Sequence, residues 1–459
     1  NASIIKKNFD FDGPLLDDYI DQNVFKKIEK YLQKVTKNDY MFFNLDGINL
    51  GSIALYELSL RHKLSKVKTL NEKIWPEYLA SLESVLKTFF ALKVAFKSNK
   101  PDRILAYNGL YSVNTVCREL AKIENIPFYY LHAGLNQRNR LQSLIVAKGH
   151  TFQFYRSIIK KWLKDYSDIP VTKEQLKLTT DNFLDIINGG SWLSYSKSSS
   201  NAAFDLKDFF NIPTDKKIIT VLLSSLDEKI AAEAVGAYIP GEPPLFKSQI
   251  EWLKVLIKFM KTRDDLFMII RPHPREYGAA REKVEVVSEH ADQLKQLLED
   301  LPNNIVVNLP EHNISIYDIM EETNLFLSAF STAARELTMF GLPVLTYKNE
   351  DILEPVSIIY DGNSQSEFLE QIDKYLDLPF NVERIRRGFR WRVFELIHSH
   401  IDISESIFLK DDYLSIRDKI YKGIDKVSNL IIKGSSQTRD CKRRAKNLVE
   451  IKKINELIE

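Results

Sequence analysis

Short unbroken apolar runs recur along the second half of the chain, separated by longer amphipathic stretches. The runs are residues 217–223 (KIITVLL), 266–270 (LFMII), 304–308 (NIVVN), 324–327 (NLFL) and 344–347 (VLTY). Runs this short, with no polar alternation, predict parallel strands buried on both faces. Helical patterns fall between them, at 247–263, 280–300, 315–321 and 333–340. Strand alternating with helix predicts an α/β fold around a parallel sheet. The first half is less regular. It predicts a strand at 40–45 closed by Asp46-Gly47, and a helix over 72–98 with Trp75, Leu79, Leu82, Val85, Leu86 and Phe89 on one face. A right-handed βαβ crossover follows: strand 103–107, the turn Asn108-Gly109, helix 113–124 and strand 126–131. A strand near 144–147 and helices at 154–166 and 173–187 complete this half, and the Ser-rich stretch 191–200 reads as a linker. Beyond Asn381 the pattern is helical, including 413–432. The expected organisation is an N-terminal domain 1–205, a second domain 206–380, and C-terminal helices 381–459 packing back on the first.

Composition narrows the function. At 459 residues the chain is long enough for two cores, and 44% apolar with 27% charged residues is the balance of a soluble globular protein. A net charge of +2 implies no strong polyelectrolyte partner, so no nucleic acid is expected. Cys117 and Cys441 lie too far apart in sequence for a metal or disulfide framework, which fits a reducing, cytoplasmic setting. No apolar run approaches the roughly 20 residues of a membrane span. Residues 439–453 carry seven Lys/Arg against two acidic residues, which suits peripheral contact with anionic lipid at the inner face of the membrane or, equally, a solvated helix. The chain opens at Asn1 with no initiator methionine, so flanking segments are expected beyond it.

The chemistry concentrates where strands end. Arg271-Pro272-His273-Pro274 stops the run 266–270 abruptly, because proline offers no ladder donor. Arg271 and His273 should therefore sit on a stiff loop at a strand's carboxyl end, where open α/β sheets bind ligands. A cation and an imidazole there suit a phosphate; the bland alternative is a solvated loop with a capping His. Strand 217–223 runs into Ser224-Ser225-Leu226-Asp227-Glu228, whose paired carboxylates must be solvated, paired or used, unless Ser225 or Asp227 simply caps a helix. Ser328, Ser331 and Thr332 precede helix 333–340, whose N-terminus offers free N–H groups to an anion, and Glu336 lies one turn in. Asn108, Gly109 and His132 fall on neighbouring loops of the first sheet. Asp10-Phe11-Asp12 has the DxD form that holds divalent metal in many sugar transferases, but no apolar strand precedes it, and no metal is expected.

Two α/β halves joined near residue 200 resemble the GT-B glycosyltransferases, in which two Rossmann-like domains face each other across a cleft. Residues 215–350 are similar to bacterial capsule and lipopolysaccharide transferases that use CMP-activated acidic sugars, above all the retaining β-Kdo transferases. Polysialyltransferases are more distant. Ser224-Ser225-x-Asp227-Glu228, Arg271-x-His273-Pro274 and Ser328-x-x-Ser331-Thr332 with Glu336 carry the resemblance. It implies that these residues form the donor site, that Arg271 and His273 bind the cytidylate phosphate and help it leave, and that Ser331 and Thr332 hold the same phosphate. Asp227 corresponds to the proposed covalent nucleophile of a double displacement, and a single phosphate lets cationic side chains stand in for a metal. Relatives often carry an acidic residue where this chain has His132-Ala133, so the acceptor's base is open between His132, Glu228 and a residue in the unplaced loops. Asn108, Gly109 and His132 would face the acceptor. The function implied is transfer of a Kdo-like sugar from a CMP donor to a surface glycan or glycolipid, with no cofactor. The alternatives are a UDP-sugar, GDP-sugar or CDP-polyol donor on the same fold, or a non-catalytic glycan-binding module.

Overall fold

The computed structural model describes residues 13–64, 70–136, 140–189, 198–199, 204–238, 244–277, 286–349, 352 and 354–403. Asp10-Phe11-Asp12, most of the Ser-rich stretch, the expected helix 413–432 and the basic stretch 439–453 lie outside these residues. The chain divides into two compact units. One takes residues 1–51, 79–154 and 398–459; the other takes 52–78 and 155–397. These units interleave along the chain and do not follow linear cuts at 205 and 380.

The first unit contains α1 (Gln22–Leu32), much of α3 (Trp75–Ser98) and a four-stranded mixed sheet. Strands β1 (Ile104–Tyr107) and β2 (Phe128–Ala133) are parallel and joined by α4 (Ser112–Ile123), as the crossover pattern predicts. Strand β3 (Ser143–Lys148) runs antiparallel to β2, and β10 (Ile401–Asp402) adds antiparallel to β3 with Ile401 opposite Leu144. The helical pattern beyond Asn381 gave no sign of β10, since two residues carry no period. The expected strand 40–45 is instead a 3₁₀ turn at Tyr40–Phe42, followed by the pair Asn44–Leu45 with Ile48–Asn49. Asp46 (φ 51°) and Gly47 (φ 84°) supply the two left-handed residues that such a tight hairpin needs. That settles Asp46 as turn chemistry, with Lys93 paired to its carboxylate.

The second unit is built on six parallel strands: β4 (Lys217–Leu222), β5 (Leu266–Arg271), β6 (Ile305–Val307), β7 (Leu325–Ser328), β8 (Val344–Tyr347) and β9 (Ile358–Tyr360). Their order across the sheet is β6-β5-β4-β7-β8-β9. The chain thus winds outward one way from β4, then returns and winds the other way from β7, which is the doubly wound Rossmann order. Successive residues of each strand enter opposite cores. Ile219, Val221 and Leu223 join Trp252, Leu253 and Leu256 of α8 (Gln249–Met260) and Phe368 of α11 (Gln365–Leu376). Ile218 and Leu222 join Ile316, Tyr317 and Leu337 on the other face. Both faces are covered, which is why the strands read as unbroken apolar runs. Truncating a fully buried residue such as Ile269 to alanine should cost about 2–5 kcal/mol.

Three helices outside the alternating pattern also belong to this unit. Helix α2 (Tyr56–His62) packs on α7 (Asp227–Ala234), while α12 (Val382–Val393) packs on both α6 (Lys173–Ile187) and α10 (Thr332–Met339). Of the segment 381–459 expected to pack on the N-terminal domain, helix α12 lies in the unit that carries the parallel sheet, while 398–403 belong to the first.

Candidate functional site

Reversal of winding direction leaves a crevice between the carboxyl ends of β4 and β7, and ligands of open sheets bind at such a switch point. The residues bordering it are Ser224-Ser225 after β4 and Ser328 at the end of β7; Leu222 pairs with Ser328 in register. Ser224 and Ser328 are 3% and 2% exposed, and neither hydroxyl has a hydrogen-bond partner. Buried hydroxyls are nearly always satisfied, so two without a protein partner flanking a switch point are free to bind a water or a polar ligand atom. The backbone beneath is rigid: Ser224 N–H donates to Gln249 Oε1 (2.8 Å) and its carbonyl accepts from Gln249 Nε2 (2.9 Å).

One strand away, β5 ends at Arg271. Its guanidinium donates to Asn308 Oδ1 and to the Ile314 carbonyl (2.8 Å). Both acceptors are neutral, so the charge stays available, although desolvation pushes the pKa down to about 10. Arg271 is still a cation at neutral pH. His273 begins a 3₁₀ turn at Pro274–Glu276, and its Nδ1 accepts a hydrogen bond from the Arg275 backbone N–H (3.2 Å). An Nδ1 that accepts carries no proton, so the neutral ring bears its hydrogen on Nε2 and presents a donor there.

The paired carboxylates prove to be ion-paired and not helix caps. The N-cap of α7 is Leu226, with no side-chain cap bond, which removes Ser225 and Asp227 from that role. Arg275 instead bridges the pair: its Nε donates to Asp227 Oδ2 (2.7 Å) and its Nη1 to Glu228 Oε1 (2.5 Å). Their environments differ sharply, the Asp227 side chain being 3% exposed and that of Glu228 65%. Burial pushes the Asp227 carboxyl up, and Arg275 pulls against it. Asp227 Oδ1 is buried with no partner. Arg275 is the cation that sequence reasoning missed, because nothing in its position next to Pro274 signals two carboxylates about 48 residues upstream.

Glu276, beside it, is 2% exposed. It accepts from Leu226 N–H (2.9 Å) and Ser288 Oγ, and His290 Nδ1 lies 3.4 Å away. Burial would raise its pKa, but His290 and these donors outweigh burial and hold it below the usual carboxylate value.

Ser331 is the N-cap of α10, as expected, accepting from Ala333 N–H (3.4 Å), and Thr332 is exposed at the first helical position. Glu336 is engaged, accepting from the Tyr317 hydroxyl (2.9 Å), and its pKa is raised by burial. Pro274 fixes the turn that follows His273. Ser224, Ser225, Ser328, Ser331, Arg271, His273 and Asp227 therefore all lie at the carboxyl edge of one sheet. Among the described residues, no three His, Cys, Asp or Glu side chains group as metal ligands.

Asn108, Gly109 and His132 gather at the corresponding edge of the first unit's sheet. Asn108 (φ 54°) donates its N–H to the Leu131 carbonyl (2.9 Å), and Asn114 Nδ2 binds the carbonyls of Tyr107 and Asn108. These two residues read as turn structure. His132 is stacked on Tyr107 (centroids 5.1 Å apart, planes at 15°) and on Tyr130 (5.9 Å, 15°). Its Nδ1 faces the Ala133 carbonyl at 3.0 Å and must donate to it, which leaves the Nε2 lone pair as an acceptor. Burial holds its pKa below the ordinary value, with Arg140 adding to the effect. His132 and His273 thus carry opposite tautomers.

No family profile and no curated protein matches the sequence. Among solved structures, the chain is similar to the beta Kdo 2,4 transferase of Thermosulfurimonas dismutans KpsC, at 10% identity over 63% of this chain and 79% of that one, with a TM-score of 0.37. The beta Kdo 2,7 transferase of the same protein matches at 13% identity over 69% and 94%, with a TM-score of 0.31. The UDP complex of MnaA from S. aureus matches at 13% identity over 80% and 94%, with a TM-score of 0.32. All three likenesses are distant. No helix among the described residues is long and apolar enough to cross a membrane.

Proposed function

We propose that the chain is a glycosyltransferase of bacterial surface polysaccharide synthesis, moving an acidic, Kdo-like sugar from a CMP donor to a glycan acceptor. The observation that carries this reading is the pair of orphan hydroxyls of Ser224 and Ser328 at the switch point, one strand from Arg271 and His273. The charge count favours a single phosphate. Arg275 is neutralised by Asp227 and Glu228, so Arg271, with neutral partners, supplies the cation, aided by the Nε2–H of His273 and the N-terminus of α10.

In this reading the bond from the anomeric carbon to the cytidylate oxygen breaks with its electron pair on the phosphate. A phosphate monoester has a second pKa near 6, so it departs without being protonated. His273, whose Nδ1 is already occupied, therefore acts as a hydrogen-bond donor and not as a proton source. Asp227 Oδ1, the one carboxylate oxygen of the Arg275 cluster that is buried without a partner, bonds to the anomeric carbon. The acceptor hydroxyl then displaces that ester, giving its proton to the exposed Glu228 carboxylate, and two inversions yield retention.

Thermal-shift titration with CMP, CDP, UDP and GDP tests the donor class. A ligand at a hundredfold its dissociation constant adds about 2.7 kcal/mol. CMP should stabilise most; a larger shift with UDP or GDP would replace the donor class, and no shift with any of the four would overturn nucleotide binding.

A further inference from the structure

The turn that carries His273 and Arg275 is gripped from a part of the chain far away in sequence. Lys63 Nζ donates to the carbonyls of Arg275 and Tyr277 (3.1 Å to the latter), across 212 and 214 residues. Lys63 is 2% exposed, which is rare for lysine. It is also the C-cap of α2 with a left-handed backbone (φ 47°, ψ 47°), and its N–H donates to the Ser59 carbonyl. Glycine is the favoured residue at such a helix end, and a side chain there is strained by about 1 kcal/mol. A strained position filled by a buried ammonium is doubly costly, and the grip on two carbonyls offsets that cost.

What it holds is the geometry of the site. Within the turn, His273 O accepts from Glu276 N–H (3.0 Å), Pro274 O accepts from Tyr277 N–H (3.2 Å), and Arg275 N–H reaches back to His273 Nδ1. The Arg275 carbonyl is bonded to the Cα that carries both the Arg275 side chain and its N–H, so gripping it together with the Tyr277 carbonyl pins the turn on either side of Glu276 and limits how that Cα can rotate. We propose that Lys63 is a positioning residue: by anchoring the turn, it sets the tautomer of His273 and aims Arg275 at Asp227 and Glu228. A segment nested in the sequence of the first unit would then govern a binding loop of the second. The proposal builds on the function proposed above but is tested independently of it.

The informative variant is Lys63→Gly, because glycine relieves the left-handed strain and completes the helix end while deleting the ammonium together with its buried stem. Long-range ¹H–¹⁵N spectra of the histidine side chains read the tautomer directly, with His273→Gln used to assign the His273 signals. The wild type should show His273 protonated on Nε2 when neutral. Lys63→Gly should show a mixture of Nε2–H and Nδ1–H forms in a protein that still unfolds cooperatively, and Lys63→Arg, which keeps the charge and donors, should restore the single form. In parallel, calorimetric titration with CMP should weaken about tenfold in Lys63→Gly, on the scale of one lost charged hydrogen bond. An unaltered His273 tautomer in a folded Lys63→Gly would overturn the proposal. If the wild type binds no CMP, the donor assignment fails, and the tautomer measurement still decides the role of Lys63. Should Lys63→Gly fail to fold, Lys63→Met read in the same spectra takes its place, with the same two outcomes.

Discussion

Removing the Arg275 guanidinium should expose how differently its two carboxylates depend on it. In Arg275→Met, Asp227 is left as a buried carboxylate without a cation, whereas Glu228, 65% exposed at its side chain, turns to water. Breaking a buried pair from one side costs about 3–5 kcal/mol, and an exposed pair is worth about 0–1 kcal/mol. Asp227 therefore dominates. Its share is also bounded, because the group escapes by taking up a proton. Protonating a carboxyl of ordinary pKa 3.8 at pH 7 costs about 4 kcal/mol. The sign with pH follows. Burial already raises the folded-state pKa of Asp227 against the pull of Arg275, and losing Arg275 raises it further. A carboxyl whose folded pKa lies above its unfolded one subtracts stability as pH rises from 3.8 through the folded value. The deficit of Arg275→Met should be largest at neutral pH and shrink on acidification towards pH 4. Every tryptophan of the sequence falls within the ranges of the unit that holds Arg275, so urea unfolding followed by tryptophan fluorescence reports that unit. Adding Asp227→Asn should recover most of the loss, while Glu228→Gln alone should change stability by less than about 1 kcal/mol. A deficit below about 1 kcal/mol at pH 7, or one that Asp227→Asn deepens, would refute the reasoning.

Three further outcomes follow from the site. Ser224→Ala and Ser328→Ala each delete a buried hydroxyl that has no protein partner, so the melting temperature without ligand should hold or rise, while CMP affinity in calorimetry falls about tenfold; a loss of stability without loss of affinity would assign both serines to the fold. His273→Ala should abolish transfer in a folded protein, and His273→Gln, whose amide can donate near the position of Nε2, should retain more CMP affinity than His273→Ala; equal turnover in wild type and His273→Ala would make His273 structural. Incubation with donor alone should add one sugar mass to Asp227 in intact-protein mass spectrometry, and a product of inverted anomeric configuration would sink the double displacement.

Much of the second unit was legible in the sequence because its physics is local. Apolar runs such as 266–270 give strands, and Pro272 and Pro274 end one of them at the binding edge. Ser331 reads as an N-cap and is one. What stayed hidden is whatever depends on distant chain returning. The mate of Asp227 and Glu228 is Arg275, one residue beyond the motif that drew attention, and its carbonyl is anchored by Lys63. The strand β10 is two residues long, and its identity comes wholly from the edge of β3 that it meets. The 40–45 segment differs for the opposite reason: its apolar run predicts a sheet strand, whereas a left-handed pair at Asp46-Gly47 folds it back at once.

The way the chain alternates between its two units has a consequence in time. A ribosome delivers about 5–20 residues each second, and Lys63 precedes the carbonyl it grips by 212 residues. For roughly 10–40 seconds after it is made, α2 has no partner to receive its ammonium. The wait is longer for the first unit, whose sheet lacks β10 until residues 401–402 arrive. Neither unit is complete before nearly the whole chain has been synthesised, and no single cut in the chain separates one from the other. Nascent chains of this protein should therefore depend on holding chaperones more than their strand content suggests, and fragments ending near residue 205 should be recovered as aggregates.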